Sequence, residues 1–228
     1  MSSIEELFSP ERFQSLNDGS IDKVCFLQAD DGSLIETQPT QDIALLPGSF
    51  NPLHIGHQQM VNIAATRLQR KIWFEISIAN VDKASLSYEE VFQRLKQFEH
   101  ENYLTTAQKS GLAVEPICSG IVLTCAPTFE KKLRLFPDCV FVVGADTITR
   151  INDLRFYHDQ DHRAEVLQGF DEGLARRRDQ KRFLVFGRWR ADVFELNQVD
   201  LAPELRRQCD FVSQQDFEQR ISSTEIRG

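Results

Sequence analysis

His54 and His57 stand three residues apart around Gly56, where an apolar run gives way to a helical pattern. The stretch from Leu45 to His57, LLPGSFNPLHIGH, has no Gly-Lys-Ser/Thr of a Walker A loop and not the spacing of a dinucleotide fingerprint. What it offers is donors: two imidazoles, together with the backbone N–H groups and positive dipole end of a helix start. That combination suits a phosphate. A second set lies at Ile221-Ser222-Ser223-Thr224-Glu225-Ile226-Arg227. Ser222 and Glu225 have capping-box spacing, so a helix is expected to begin at Ser222. Ser223, Thr224 and Arg227 then add hydroxyls and a guanidinium at the same end, a second anion site. Gly144-Ala145-Asp146-Thr147 follows a wholly apolar strand and reads either as a ligand-binding turn or as a plain turn with Asp146 capping a helix. No paired carboxylates accompany these groups. The chemistry they suit is gripping and aligning anions, not general acid–base work.

Such donors need rigid elements behind them. Asp42 to Leu46 reads as a short buried strand, and Gly56 to about Gln69 as a helix with Met60, Val61, Ile63, Ala64 and Leu68 on its apolar face. Lys71–Ile78 is a strand of aromatic and β-branched residues. Ser87–Glu101 reads as a helix opened by a Ser87/Glu90 capping box. Further strands are expected at Ile117–Leu123, Val140–Val143 and Phe183–Gly187, with helices at Phe129–Phe136 and Arg163–Arg178. Strands alternating with helices predict an α/β fold: a Rossmann-like parallel sheet flanked by helices. In such sheets ligands sit beyond the carboxyl ends of the strands, and the polar motifs after Leu46, Ile78 and Val143 all fall there.

The 228 residues suggest one domain with an appendage. Residues 1–41 form the N-terminal extension, with a short helix started by Ser9-Pro10 and a hairpin of Lys23–Gln28 and Ser33–Thr37 around Asp30-Asp31-Gly32; residues 42–228 carry the motifs. A net charge of −8 leaves no basic footprint for nucleic acid. No apolar run reaches a membrane span and no signal-peptide layout opens the chain. The five cysteines show no C-x-x-C spacing and read as reduced, mostly buried thiols of a cytoplasmic protein. Trp73 reads as core, His158-Asp-Gln-Asp-His162 as an acidic solvated loop, and Arg176-Arg177-Arg178 with Lys181 and Arg182 as an exposed helix end.

The His-x-Gly-His core at a strand-to-helix turn resembles the signature of the class I (HIGH-superfamily) nucleotidylyltransferases, whose two histidines contact a triphosphate. Gly-Ser-Phe-Asn-Pro, His-x-Gly-His, Gly-Ala-Asp and Ile-Ser-Ser-Thr-x-Ile-Arg together look like the nicotinamide/nicotinate mononucleotide adenylyltransferase family, over about Asp42 to the C-terminus. A less studied branch of that group also has Asn-Val-Asp-Lys, here Asn80 to Lys83, and Ala-Pro-Thr-Phe, here Ala126 to Phe129. The resemblance implies that His54, His57 and Arg227 are catalytic. It places ATP against Gly48, Ser49, Phe50, His54, Gly56, His57, Gly144, Asp146, Thr147, Ser222, Ser223, Thr224 and Arg227, and the second substrate at Asn51, Asn80, Asp82 and Lys83. The tryptophan-bearing pyridine pocket of the family is not evident; Trp189 could lie at a surface or in a pocket.

The reaction implied is attack by a mononucleotide phosphate on the α-phosphorus of ATP with release of pyrophosphate, a step of NAD biosynthesis. Mg²⁺ would be held mainly through substrate phosphates, with no side chain assigned as a direct metal ligand. Partners would be ATP and a small phosphorylated substrate, with no nucleic acid and no membrane; a homo-oligomer stays open. The rival readings are CTP-dependent transfer to a phosphorylated alcohol and a non-catalytic nucleotide sensor.

Overall fold

The computed structural model describes residues 4–28, 34–38, 43–82, 84–98, 118–172, 181–187, 189–190, 193–194 and 200–217. Lys83, the Arg176–Arg178 run and the Ser222, Ser223, Thr224 and Arg227 motif lie outside the described residues. The chain divides into two compact units, with Pro127 in the first and Thr128 opening the second.

In the first unit, α1 (Ile4–Leu7) and α2 (Pro10–Asn17) come first. Ser9 Oγ accepts the Arg12 N–H at 3.3 Å and Pro10 takes the first helical turn, where its missing N–H is no loss. Lys23–Gln28 (β1) and Leu34–Glu36 (β2) pair antiparallel. They are not separate from the rest: β1 also runs antiparallel along β5 (Cys118–Thr124), with Val24 opposite Leu123. Ile43–Pro47 (β3), Lys71–Ser77 (β4) and β5 are parallel, so the strand order in this unit is β3-β4-β5-β1-β2. Between β3 and β4 runs α3 (Ile55–Leu68), 14 residues long, burying Val61 and Ala64 as its period requires. It ends at Gln69 in the left-handed region (φ 52°). After β4, α4 (Tyr88–Lys96) opens with the Ser87/Glu90 capping box: Ser87 Oγ accepts the Glu90 N–H at 3.2 Å and Glu90 accepts the Ser87 N–H at 2.8 Å.

The second unit holds α5 (Phe129–Leu135), β6 (Val140–Gly144), α6 (Ala145–Asn152), α7 (Gln160–Glu172) and β7 (Phe183–Phe186). Two short strands, β8 (Trp189–Arg190) and β9 (Val193–Phe194), pair with each other. α8 (Pro203–Arg207) and β10 (Cys209–Val212) complete it. β6 and β10 flank β7 in parallel, and Phe129, Phe141, Phe170 and Phe183 pack ring against ring between sheet and helices. The fold is α/β, mostly parallel strands flanked by helices in a Rossmann-like arrangement.

One expectation is corrected here. Arg182 is not part of an exposed helix end: it is fully buried, its Nε donating to the Phe170 carbonyl and its Nη1 to those of Pro137 and Cys139. Three main-chain acceptors give Nε and Nη1 what water would otherwise supply. β10 and α8 had no sequence signal, because four and five residues are too short to establish a period. Among the described cysteines Cys25, Cys139 and Cys209 are buried free thiols and Cys125 is half-buried. Among the described residues no helix is long and apolar enough to cross a membrane.

Candidate active site

The loop between β3 and α3 is held from several sides. The Gly48 N–H donates to the Glu75 carbonyl of β4 at 3.0 Å. A Cβ at position 48 would lie 2.6 Å from the tip of the Phe50 ring, so only glycine lets that ring fold back over the turn. Phe50 adopts a left-handed backbone (φ 43°) and is 1% exposed, packing edge-on against Phe74 at 4.9 Å and against His57 at 5.0 Å. The Asn51–Pro52 peptide is cis. Gln97, the C-cap of α4, clasps the same segment: its Oε1 accepts the Leu53 N–H at 2.7 Å and its Nε2 donates to the Phe50 carbonyl at 2.8 Å.

These contacts present His54 in extended backbone as the N-cap of α3. Its N–H donates to His57 Nδ1 at 3.3 Å, and the two imidazoles stack with centroids 3.8 Å apart. Because Nδ1 of His57 accepts, the proton of the neutral ring sits on Nε2, which makes that edge a donor. Burial pushes the His57 pKa down to about 3, with the neighbouring His54 adding to the effect, and burial also lowers that of His54. Nδ1 of His54 and both amide atoms of Gln58 are buried without a hydrogen-bond partner. Unmatched buried polar atoms call for an explanation, and a polar or anionic ligand at a helix N-terminus is one that fits them. Gln58 was not singled out from the sequence. Its signal was a polar residue on the face that also carries Val61 and Ala64.

Asn80 and Asp82 lie exposed just beyond β4, where the Asp82 N–H donates to Asn80 Oδ1 at 3.0 Å. Glu75 ties two strand ends together: its carbonyl holds Gly48, and its buried carboxylate accepts the Thr124 hydroxyl at 2.5 Å. Thr124 Oγ1 in turn accepts the Ala126 N–H at 3.2 Å, shaping the turn after β5. The first unit therefore gathers Gly48, Ser49, Phe50, Asn51, His54, Gly56 and His57 into one strand-to-helix junction.

The second unit carries Gly144, Asp146 and Thr147. Gly144, not Asp146, is the N-cap of α6, and Asp146 stands in the first turn. A Cβ on Gly144 would meet Asp146 Oδ1 at 2.8 Å, so the carboxylate folds back over the glycine. Among the described residues no three His, Cys, Asp or Glu side chains group as a metal site. Asp159 instead caps α7, accepting the His162 N–H at 2.8 Å.

A model of the cytidylyltransferase-like family matches residues 45–228. No curated protein matches the sequence. Among solved structures, the chain is similar to Plasmodium falciparum nicotinic acid mononucleotide adenylyltransferase complexed with NaAD, at 17% identity over 82% of this chain and 83% of that one, with a TM-score of 0.41. The family match takes in both histidines, Gly144–Thr147 and the last motif, most of the sequence; the chain belongs to the cytidylyltransferase-like family of nucleotidyltransferases.

Proposed function

We propose that the protein transfers AMP from MgATP to the phosphate of a mononucleotide, nicotinate or nicotinamide mononucleotide, releasing pyrophosphate. An acceptor phosphate oxygen attacks the α-phosphorus, the bond to the bridging oxygen of the β-phosphate breaks, and the electron pair leaves with pyrophosphate. The acceptor is already anionic at neutral pH, so no side chain has to remove a proton. What remains is to align two anions that repel and to meet the charge developing on the leaving group.

The observation that carries this reading is the His54–His57 pair. The His54 N–H on His57 Nδ1 leaves Nε2–H as a neutral, pre-oriented donor at the first turn of α3. A neutral donor aimed before the phosphate arrives needs no reorganisation when charge develops. Ser222, Ser223, Thr224 and Arg227 are proposed to take the β- and γ-phosphates, and Gly144, Asp146 and Thr147 the adenosine end, on the strength of their motifs. Mg²⁺ enters as part of the nucleotide substrate and supplies charge neutralisation across the phosphates. Asn51, Asn80, Asp82 and Lys83 are proposed for the acceptor.

The family description gives one specific reason to test CTP as donor. Pyrophosphate release measured with ATP and with CTP, against both mononucleotides and a set of alcohol phosphates, separates the readings. Turnover with ATP and a mononucleotide is expected. Turnover only with CTP and an alcohol phosphate overturns the proposal, and ATP binding without any turnover favours a sensor.

A further inference from the structure

α4 carries a buried guanidinium that the fold uses only in part. Arg94 is 6% exposed, yet its Nε and Nη1 have no hydrogen-bond partner. Its remaining nitrogen, Nη2, is 4.0 Å from Glu90 Oε1, a carboxylate that itself stands half in solvent. Burial lowers the Arg94 pKa, the Glu90 charge opposing this only in part. Arg182 shows what this protein does with a buried arginine whose role is structural: Nε and Nη1 meet three main-chain carbonyls. Arg94 has no such set. A buried guanidinium with one long, half-solvated ion pair and two donors without acceptors weakens a fold, so its retention wants a ligand.

The position of Arg94 indicates which ligand. Glu90, Arg94 and Gln97 follow one another along one face of α4. Gln97 on that face clasps Phe50 and Leu53, in the segment that carries Asn51. The other end of α4 is tied to the end of β4 by the Leu86 N–H on the Ile78 carbonyl, at 2.8 Å, and the loop between those two residues carries Asn80 and Asp82. The helix thus joins both segments proposed for the acceptor, and Arg94 lies in its last turn, on the Gln97 side.

We propose that Arg94 binds the phosphate monoester of the acceptor, its planar fork taking two phosphate oxygens and holding them for attack. This rests on the transfer reaction proposed above, with the histidines of α3 serving the other anion. A phosphate on Arg94 would satisfy the unused N–H groups with charge-assisted hydrogen bonds, and it would fix the nucleophile bidentately, as lysine cannot.

The test uses the full chain with Arg94→Met and Arg94→Lys, titrated calorimetrically with nicotinate mononucleotide, nicotinamide mononucleotide and ribose 5-phosphate, and separately with a non-hydrolysable ATP analogue. Arg94→Met is expected to weaken every phosphate monoester by about 10- to 100-fold, as loss of a charge-assisted pair does. The ATP analogue should stay within about twofold of the parent. Without ligand, Arg94→Met should unfold about 2–4 °C higher than the parent, since it removes a buried charge whose Nε and Nη1 have no acceptor. Arg94→Lys keeps the charge without the fork and should fall between the two. A structural arginine would do the opposite, lowering the unfolding temperature and weakening all ligands together. That result overturns the proposal, as does unchanged monoester binding, a parent that binds none of the three, or a loss confined to the ATP analogue. Arg94-dependent binding of ribose 5-phosphate alongside no mononucleotide turnover would leave this proposal standing and sink the proposed acceptor. Mononucleotide turnover with Arg94→Met binding them as the parent does would have the reverse meaning.

Discussion

The protein passes from a strand into a helix in two ways. In the first unit seven residues, 48 to 54, separate β3 from α3, and they are over-determined: the Phe50 ring over Gly48, the Gln97 amide on both sides, the Glu75 carbonyl at the start. In the second unit β6 becomes α6 with nothing between, and Gly144 serves as N-cap with no side chain of its own to cap the first-turn N–H groups. The long junction positions side chains; the direct junction offers backbone. A histidine donor works only if its ring is aimed, which requires packing and a fixed tautomer, whereas helix N–H groups are aimed by the helix itself. The difference in architecture follows the difference in what is presented.

That contrast can be broken at either junction. The largest expected effect is on rate: His57→Ala should lower kcat by about 10²- to 10³-fold, the range seen when a pre-aimed donor to developing charge is removed. Pyrophosphate release with saturating ATP measures it, and parent-like kcat would contradict the role given to His57. Alanine at the two glycines sharpens the comparison. Gly48→Ala forces its Cβ to within 2.6 Å of a fully packed aromatic ring. It should destabilise by about 1–3 kcal/mol in chemical denaturation, as overpacking does. Gly144→Ala meets only the end of an exposed carboxylate, which can rotate away. Its stability should change by less than about 1 kcal/mol, with the effect appearing in KM for ATP. Equal destabilisation by the two would remove the distinction between the braced junction and the direct one.

Gln97→Ala deletes both clasps on the 50–53 segment, leaving a buried N–H and carbonyl to find water; a loss of about 1–2 kcal/mol in stability with a fall in kcat/KM is expected. The pH effect is silent at neutrality and grows only in acid. His57 stays neutral in the fold down to about pH 3, while an unfolded imidazole protonates near 6.5. Between those values the unfolded chain binds the extra proton, so folded stability falls as pH drops through 6.5, by about 1.4 kcal/mol per pH unit. His57→Gln should flatten that slope when unfolding is followed at about pH 7 and about pH 5; an unaltered slope would mean that His57 already titrates freely in the fold.

What the sequence made legible was local. The strand–turn–helix around Gly48 to His57, the Ser9 and Ser87 caps and the antiparallel β1–β2 hairpin each depend on residues a few places apart. Non-local partners left no such trace. The Gln97 bonds span 44 and 47 residues, and the pairing of β1 with β5 joins segments separated by most of the first unit. Burial of a polar side chain was equally invisible: Arg182 and Arg94 carry the same charge in sequence, and only their surroundings make one a tie between carbonyls and leave the other with Nε and Nη1 unbonded. Of the two motifs proposed to hold the polyphosphate, the histidine one stands in the described residues and Ser222–Arg227 lies outside them.

The central claim is that α3 begins with a neutral, pre-aimed imidazole waiting for a polyphosphate. Nitrogen-15 NMR of the His57 ring, followed across pH with and without a non-hydrolysable ATP analogue, tests it most directly. The predicted result is an Nε2–H tautomer at neutral pH, a free-protein pKa near 3, and a clear rise when the analogue binds, as an adjacent anion favours the imidazolium. An Nδ1–H tautomer, or titration near 6.5 that the analogue does not move, would contradict it.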